Sequence, residues 1–248
     1  TSGGATGVTA TLPGPVTAGE YLLAAITIQT APNSSCTMSG APFACCTGAG
    51  TGTCANAGTA MIVAPSNAAC TGNQTPHTCC SGSGAGTCDW TLVGNATCGG
   101  DLQTSLFGKF VEPGENGSNY TWNFTSSGNP STFLGVLGLV GISNVGSTPV
   151  QAVAHQCNPD GTALTAPSVT TARNNTLNVL VYSIVGDNSL TRPAGYSLLY
   201  QHSISASGPD VQSDELLIKS PGATGNQAAT ASLAGDNVGF QVAVSPLP

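Results

Sequence analysis

Residues 36–54 read CTMSGAPFACCTGAGTGTC and residues 70–88 read CTGNQTPHTCCSGSGAGTC, so Cys36, Cys45, Cys46 and Cys54 recur at one spacing as Cys70, Cys79, Cys80 and Cys88. Thiols at this density serve either a metal or disulfide bridges. Zinc sites bring two thiolates to one ion from a tight C-x-x-C turn. That pairing is absent here, and adjacent cysteines in an extended chain point to opposite sides. The spacing therefore predicts disulfides and an oxidising compartment, with no metal or other cofactor. Without a vicinal bond, the first stretch pairs Cys36–Cys45 with Cys46–Cys54, or Cys36–Cys46 with Cys45–Cys54, and the second likewise. Cys98 and Cys157 complete an even total of 10 and form a fifth bridge. Closing a loop of about 15 residues restricts the unfolded chain by roughly 3 kcal/mol. The glycine runs between the cysteines have almost nothing apolar to bury, and they lack the lysine and helix of a phosphate loop. Residues 31–88 thus read as a cysteine-rich insertion of two knots, parted by the short apolar strand TAMIVAP at 59–65, that decorates a scaffold.

Charge bounds the partners. Only 6% of the residues are charged, against about 25% in an ordinary soluble domain. The four cations are Lys109, Lys219, Arg173 and Arg192, too few to neutralise a phosphate backbone, which excludes nucleic acid. The longest apolar stretch, STFLGVLGLVGIS at 131–143, is too short to span a bilayer and is broken by Gly135, Gly138 and Gly141. The opening TSGGATG reads as a mature secreted product or a trimmed one. A surface of Thr, Ser, Asn, Gln and Gly leaves little repulsion between copies.

Outside the insertion, short β runs are punctuated by Gly, Pro, Asn and Asp. GVTATLPG, EYLLAAITIQT, DWTLVG, LQTSLFGKFVEP, NYTWNFTSS and STFLGVLGLVGIS come first; VQAVAHQ, NTLNVLVYSIVG, GYSLLYQHSIS, DELLIKS, QAATASLAG and NVGFQVAVSP follow. Turns are expected at LPGP, EPGENGS, SGNPS, NPDG, RPAG and SPGATGN. The pattern predicts one all-β domain over 1–248, a jelly-roll-like antiparallel β-sandwich with a disulfide-rich loop insertion. Several strands are apolar on both alternations, so something must cover the second face of their sheet: the cysteine insertion, a glycan or a neighbour.

The order VTATLPGPVTAGEYLLAAITI, WTLVG, LFGKFVEPGENGSNYTWNFTSS, GVLGLVGISNVGSTPVQAV, SLLYQ and FQVAV resembles the jelly-roll modules of secreted bacterial surface proteins and phage virion proteins. The resemblance implies a structural or adhesive role at a cell or virion surface and brings no catalytic residues. Low charge, disulfides and scarce lysine at the sheet edges point the same way, to a subunit that assembles with copies of itself into a fibre or appendage. Strand donation would build an open filament, with residues 5–14, ATGVTATLPG, as the favoured donor over NVGFQVAVSPLP. The alternative is an adhesive or carbohydrate-binding module. Trp90 and Trp122 have core parity, leaving Tyr120, Tyr196 and Tyr200 to stack on sugar.

No nucleophile elbow exists, and His77, His155 and His202 read as ordinary strand or loop residues rather than bases. The close carboxylate pairs are Glu112 with Glu115, in a turn, and Asp214 with Glu215, at a strand start, and no enzyme is expected. Asn-x-Ser/Thr sequons occur at Asn33, Asn73, Asn95, Asn116, Asn119, Asn123 and Asn174. Asn116, Asn119 and Asn123 crowd one hairpin, and Asn119 and Asn123 share strand parity, so sugar on both would face one side.

Overall fold

The computed structural model describes residues 3–4, 7–12, 16–30, 44–47, 50–53, 61–63, 90–111, 115, 117–125, 133–186, 188–204 and 208–247. The described residues contain no helix. Their first half forms β1 (Gly3–Gly4), β2 (Gly7–Thr11), β3 (Tyr21–Thr30), β4 (Ala44–Thr47), β5 (Gly50–Thr53), β6 (Met61–Val63), β7 (Thr91–Cys98), β8 (Leu102–Phe110), β9 (Asn119–Thr125) and β10 (Phe133–Ile142). The second half forms β11 (Val145–Ala166), β12 (Thr170–Thr171), β13 (Thr176–Ile184), β14 (Leu190–Thr191), β15 (Ser197–Ser203), β16 (Asp210–Ile218), β17 (Gly222–Ala223) and β18 (Gln227–Pro246).

Two large sheets lie at the centre, in the orders β1-β10-β3-β8-β7 and β11-β18-β13-β16-β15, and all their ladders are antiparallel. Leu23, Ala25, Leu106 and Val136 of the first pack against Val179, Val181, Val238, Phe240 and Val242 of the second. The outer face of the first sheet, with Leu22, Ala24, Ile26 and Phe107, is covered by the sheet β2-β9-β6, which contributes Val8, Tyr120, Trp122, Phe124 and Ile62. The outer face of the second, with Leu180, Tyr182 and Ile184, is covered by the far ends of β11 and β18 and by β14, through Leu164, Ala166, Ala229, Ala231 and Leu190. The chain's own strands thus supply the covers. Burial on both faces explains why β3, YLLAAITIQT, and β13, TLNVLVYSI, are apolar on both alternations.

The two halves repeat one plan. In chain order, β1, β3, β7, β8 and β10 correspond to β11, β13, β15, β16 and β18, and each set forms a sheet of the same order. The registers coincide as well. The row Leu139, Ala24, Phe107, Leu92 in the first sheet matches Gln241, Leu180, Asp214, Leu198 in the second. Directly beyond that row each sheet has a bulge, between Leu92 and Gly94 and between Leu198 and Tyr200. A buried aromatic, Trp90 or Tyr196, stands one residue before β7 or β15 and enters the core under its cover. The covers correspond too: β2, β9 and β6 match the far end of β11 with β12, β17 with the start of β18, and β14. The two large sheets of the chain thus come from two like halves packed sheet to sheet.

Their packing is reciprocal, as in an isologous dimer. A Cβ on Gly94 of β7 would meet Phe240 of β18 at 3.0 Å, while a Cβ on Gly138 of β10 would meet Tyr200 of β15 at 1.9 Å. Gly94 and Tyr200 are equivalent positions, as are Gly138 and Phe240, so the contact is reciprocal by position, with both glycines in the first half and both aromatics in the second. Thr104 Oγ1 lies 3.0 Å from Thr27 Oγ1 and 2.5 Å from Ser183 Oγ, linking two more equivalent positions across the seam.

Several expectations change. The antiparallel all-β class holds, but the jelly-roll winding of one sandwich is not established, since each central sheet comes from one half of the chain. Met61–Val63 is no mere spacer in the insertion: it pairs with β9, and Ile62 is buried beneath the cover. NPDG at 158–161 does not reverse the chain. Asp160 takes a positive φ of 48° and the register shifts there, so the turn signal produces a bulge inside β11. Within residues 5–14, favoured as a donor strand, Gly7–Thr11 pair with β9 of the same chain, and Val8 and Leu12 are buried.

Candidate functional site

The outward face of β2-β9-β6 follows from strict alternation in NYTWNFT. Tyr120, Trp122 and Phe124 turn inward, which leaves Asn119, Thr121 and Asn123 exposed. Thr9 Oγ1 lies 2.8 Å from Thr121 Oγ1, and Thr11 Oγ1 donates to Asn119 Oδ1 at 2.6 Å, so these exposed hydroxyls and amides form a cross-strand ladder. Asn119 and Asn123 face one side, as their parity predicts. Asn95 is exposed on β7, where its Oδ1 accepts from Ser105 Oγ at 2.8 Å and Gln103 Nε2 at 3.1 Å; Asn174 is exposed in the turn before β13. The opposite outer face, beyond the second cover, presents Thr162, Ala163, Thr170, Ala228 and Thr230. Neither row carries a charge.

Four of the described charged residues lie inside. Lys109, Glu115, Asp210 and Asp214 are all buried. Lys109 Nζ pairs with Glu115 Oε1 under the first cover, 5.3 Å from the Tyr120 ring centre and 6.0 Å from that of Trp90. Burial, followed by the Glu115 carboxylate, holds the Tyr120 phenol well above its ordinary pKa. Asp214 lies under the second cover, where Gln212 Nε2 donates to its Oδ2 at 2.7 Å and Asn178 Nδ2 donates to Tyr196 Oη at 2.8 Å. Burial pushes the Asp214 carboxyl above its ordinary pKa.

The carboxylates weighed for hydrolysis therefore sit in different halves, Glu115 tied to a lysine and Asp214 inside a core, rather than flanking one cleft. His155, exposed and 5.1 Å from the Phe240 ring, and His202, half-buried, lie on β11 and β15 at opposite edges of the second sheet. Among the described residues no group of three or more His, Cys, Asp or Glu could hold a metal, and no helix is long and apolar enough to cross a membrane. The tyrosines reserved for sugar stacking need correction: Tyr120 and Tyr196 are buried, and Tyr200 is half-buried with its ring over Gly138.

Cys98, at the end of β7, is bonded to Cys157 on β11. The bridge ties the two units together. Closing a loop with a sequence separation of 59 restricts the unfolded chain by about 4 kcal/mol. Cys45 and Cys46 lie on β4, paired in register with Gly52 and Thr51 of β5. Cys36, Cys54, Cys70, Cys79, Cys80 and Cys88, the sequons at Asn33, Asn73 and Asn116, and His77 and Glu112 lie outside the described residues.

No family model, curated protein or solved structure matches this chain.

Proposed function

We propose that the chain is a structural subunit of an extracellular or virion-surface assembly, made of two fused jelly-roll-like units that contact copies of the same chain. The observation that carries this reading is the scarcity of charge, 6% of the residues, together with outer cover faces whose exposed rows, Asn119, Thr121 and Asn123 on one side and Thr162, Ala163, Thr170, Ala228 and Thr230 on the other, hold none. A surface of that kind has little electrostatic repulsion to keep copies apart. The Cys98–Cys157 bridge suits secretion, and the sequons at Asn119 and Asn123 would add sugar to one outer face. No chemistry is assigned to the buried carboxylates, whose role is structural.

Electron microscopy and light scattering of the purified, oxidised chain test the reading, and ordered multimers are expected. A monodisperse monomer at high concentration, with unmodified asparagines by mass spectrometry of unreduced peptides, would remove it.

A further inference from the structure

One patch of the second central sheet is polar where the first is apolar. The register that equates Ala24 with Leu180 and Phe107 with Asp214 also equates Leu22 with Asn178 and Ile26 with Tyr182, and Trp90 and Tyr196 stand at one place before their strands. In the first half Leu22, Ile26, Phe107 and Trp90 are buried together beneath the first cover. In the second the same positions hold Asn178, Tyr182, Asp214 and Tyr196, and every one of these is buried too.

The four polar groups converge. Asn178 and Tyr182 flank Leu180 on one face of β13, and Leu180 pairs with Asp214 of β16, so Asp214 is the diagonal neighbour of both. Asn178 Nδ2 donates to Tyr196 Oη at 2.8 Å, while Gln212 Nε2, opposite Tyr182, donates to Asp214 Oδ2 at 2.7 Å. The phenols feel the carboxylate. Burial, then Asp214 and Tyr196, raises the pKa of Tyr182; in Tyr196, raised by burial, the Asn178 bond opposes the shift and Asp214 adds to it.

Asp214 Oδ1, Asn178 Oδ1 and Tyr182 Oη are left over: they are buried and, among the described residues, have no hydrogen-bond partner. A carboxylate oxygen and an amide oxygen only accept, whereas a phenol has a hydrogen to give. Leaving such atoms bare in a core forfeits their hydration, and native proteins pair nearly all of them. Buried waters do this work by making about three hydrogen bonds each. We infer that Asp214 Oδ1, Asn178 Oδ1 and Tyr182 Oη form a binding site for one water molecule, which donates its two hydrogens to the carboxylate and the amide oxygen and accepts the hydrogen of the phenol. A monovalent cation fits the set less well, since it would engage the three oxygens and leave the phenol hydrogen without an acceptor. The water links β13 to β16 beneath the far ends of β11 and β18. The inference is independent of the self-association proposed above.

A high-resolution crystal structure of the full oxidised chain tests it. A single peak about 2.8 Å from each of the three atoms is expected. A direct bond from Tyr182 Oη to Asp214 Oδ1, or no peak among the three atoms, would overturn the site. Denaturant titrations in sodium chloride and in choline chloride at equal ionic strength should give one midpoint. A lower midpoint in choline chloride, with an anomalous peak at the site in crystals grown from rubidium chloride, would assign it to a cation and overturn the water. In solution, oxygen-17 relaxation dispersion should count one long-lived water fewer in Asp214→Leu, which carries an apolar side chain at this position as the first half does, than in wild type. Equal counts would overturn the assignment, and the wild-type crystal structure decides it even where that variant fails to fold.

Discussion

The two halves follow one strand order and one register, yet they fasten their covers by different chemistry. In the first, aromatic and aliphatic side chains do the work: Trp90, Tyr120 and Trp122 stack edge to face at 5.0–5.3 Å around Trp90, over Phe107 and Ile26. In the second, the outward row of the central sheet carries Asn178, Gln241, Asp214, Gln212 and Asn237, all buried. These hold the cover by hydrogen bonds. Gln241 Oε1 accepts from Val169 N–H at 3.0 Å and from the Thr224 hydroxyl, and Asn237 Nδ2 donates to Gly161 O at 3.1 Å. The equivalence of Phe107 with Asp214 and of Leu139 with Gln241 shows that backbone register, not side-chain chemistry, is what the halves share. Apolar packing tolerates imprecise partners; a buried polar row demands that each partner be present.

The sharpest break of this comparison is at Lys109, whose counterpart is Leu216. Removing the amine alone strands the Glu115 carboxylate in a core, and an uncompensated buried charge is far more costly than a lost surface pair. Lys109→Leu should lower the unfolding free energy by about 3 kcal/mol in denaturant titrations. The double variant Lys109→Leu, Glu115→Leu should recover most of that loss, because the aromatic cover around it needs no ion pair. A single variant within about 1 kcal/mol of wild type would mean that water reaches the pair and that the first cover is not a dry apolar layer.

The reciprocal glycines rank next. At Gly138 a new Cβ falls 1.9 Å from Tyr200 Cζ, whereas at Gly94 it falls 3.0 Å from Phe240 Cε1. Overpacking a filled seam costs about 1–3 kcal/mol. Gly138→Ala should therefore cost about 2 kcal/mol and Gly94→Ala less than half as much. Because the clash is with the ring of Tyr200, Tyr200→Leu should relieve it, and a double-mutant cycle would show a coupling that Gly94 lacks. Equal costs at the two glycines would say that the seam is looser than its pseudo-symmetry implies.

Parts of this were legible in the sequence. Period-two alternation in NYTWNFT placed Trp122 inside and Asn119 and Asn123 outside, and runs apolar on both faces marked β3 and β13 as inner strands. The duplication leaves little trace in the residues. Its best local trace is Trp90-Thr91-Leu92-Val93 against Tyr196-Ser197-Leu198-Leu199, four positions on which aromatic, hydroxyl and aliphatic residues agree. Elsewhere equivalent positions exchange Phe for Asp or Leu for Gln, and residues 31–88 separate β3 from β7 where only a short connection separates β13 from β15. The fusion of cover and central strands in β11 and β18 hid the correspondence further, since a bulge residue such as Asp160 reads as a chain reversal. The second cover was illegible for a related reason: a polar outward row predicts solvent, and only tertiary structure shows the hydrogen bonds that replace it.

Asp214 tests that last point with the smallest effect. Among the described residues its Oδ1 has no hydrogen-bond partner, nor have Tyr182 Oη and Asn178 Oδ1, and burial raises its carboxyl pKa. A carboxyl with a folded pKa above its unfolded one binds its proton more readily in the native state, so its ionisation opposes folding. That penalty is full above the folded pKa and vanishes as pH falls below the unfolded value near 3.9. Wild-type stability should therefore rise as pH drops from neutral toward that window, with Asp101 acting in the same direction because burial, then Asp236 and Asp160, raise its carboxyl as well. Asp214→Asn should gain stability at pH 7, by less than either effect above, and its stability should vary less with pH than that of wild type. The amide also supplies a donor for this acceptor-rich core. Loss of stability at pH 7 in Asp214→Asn would mean that the ionised carboxylate itself fastens the second cover, placing its chemistry closer to the ion pair of the first half than to the neutral hydrogen bonds beside it.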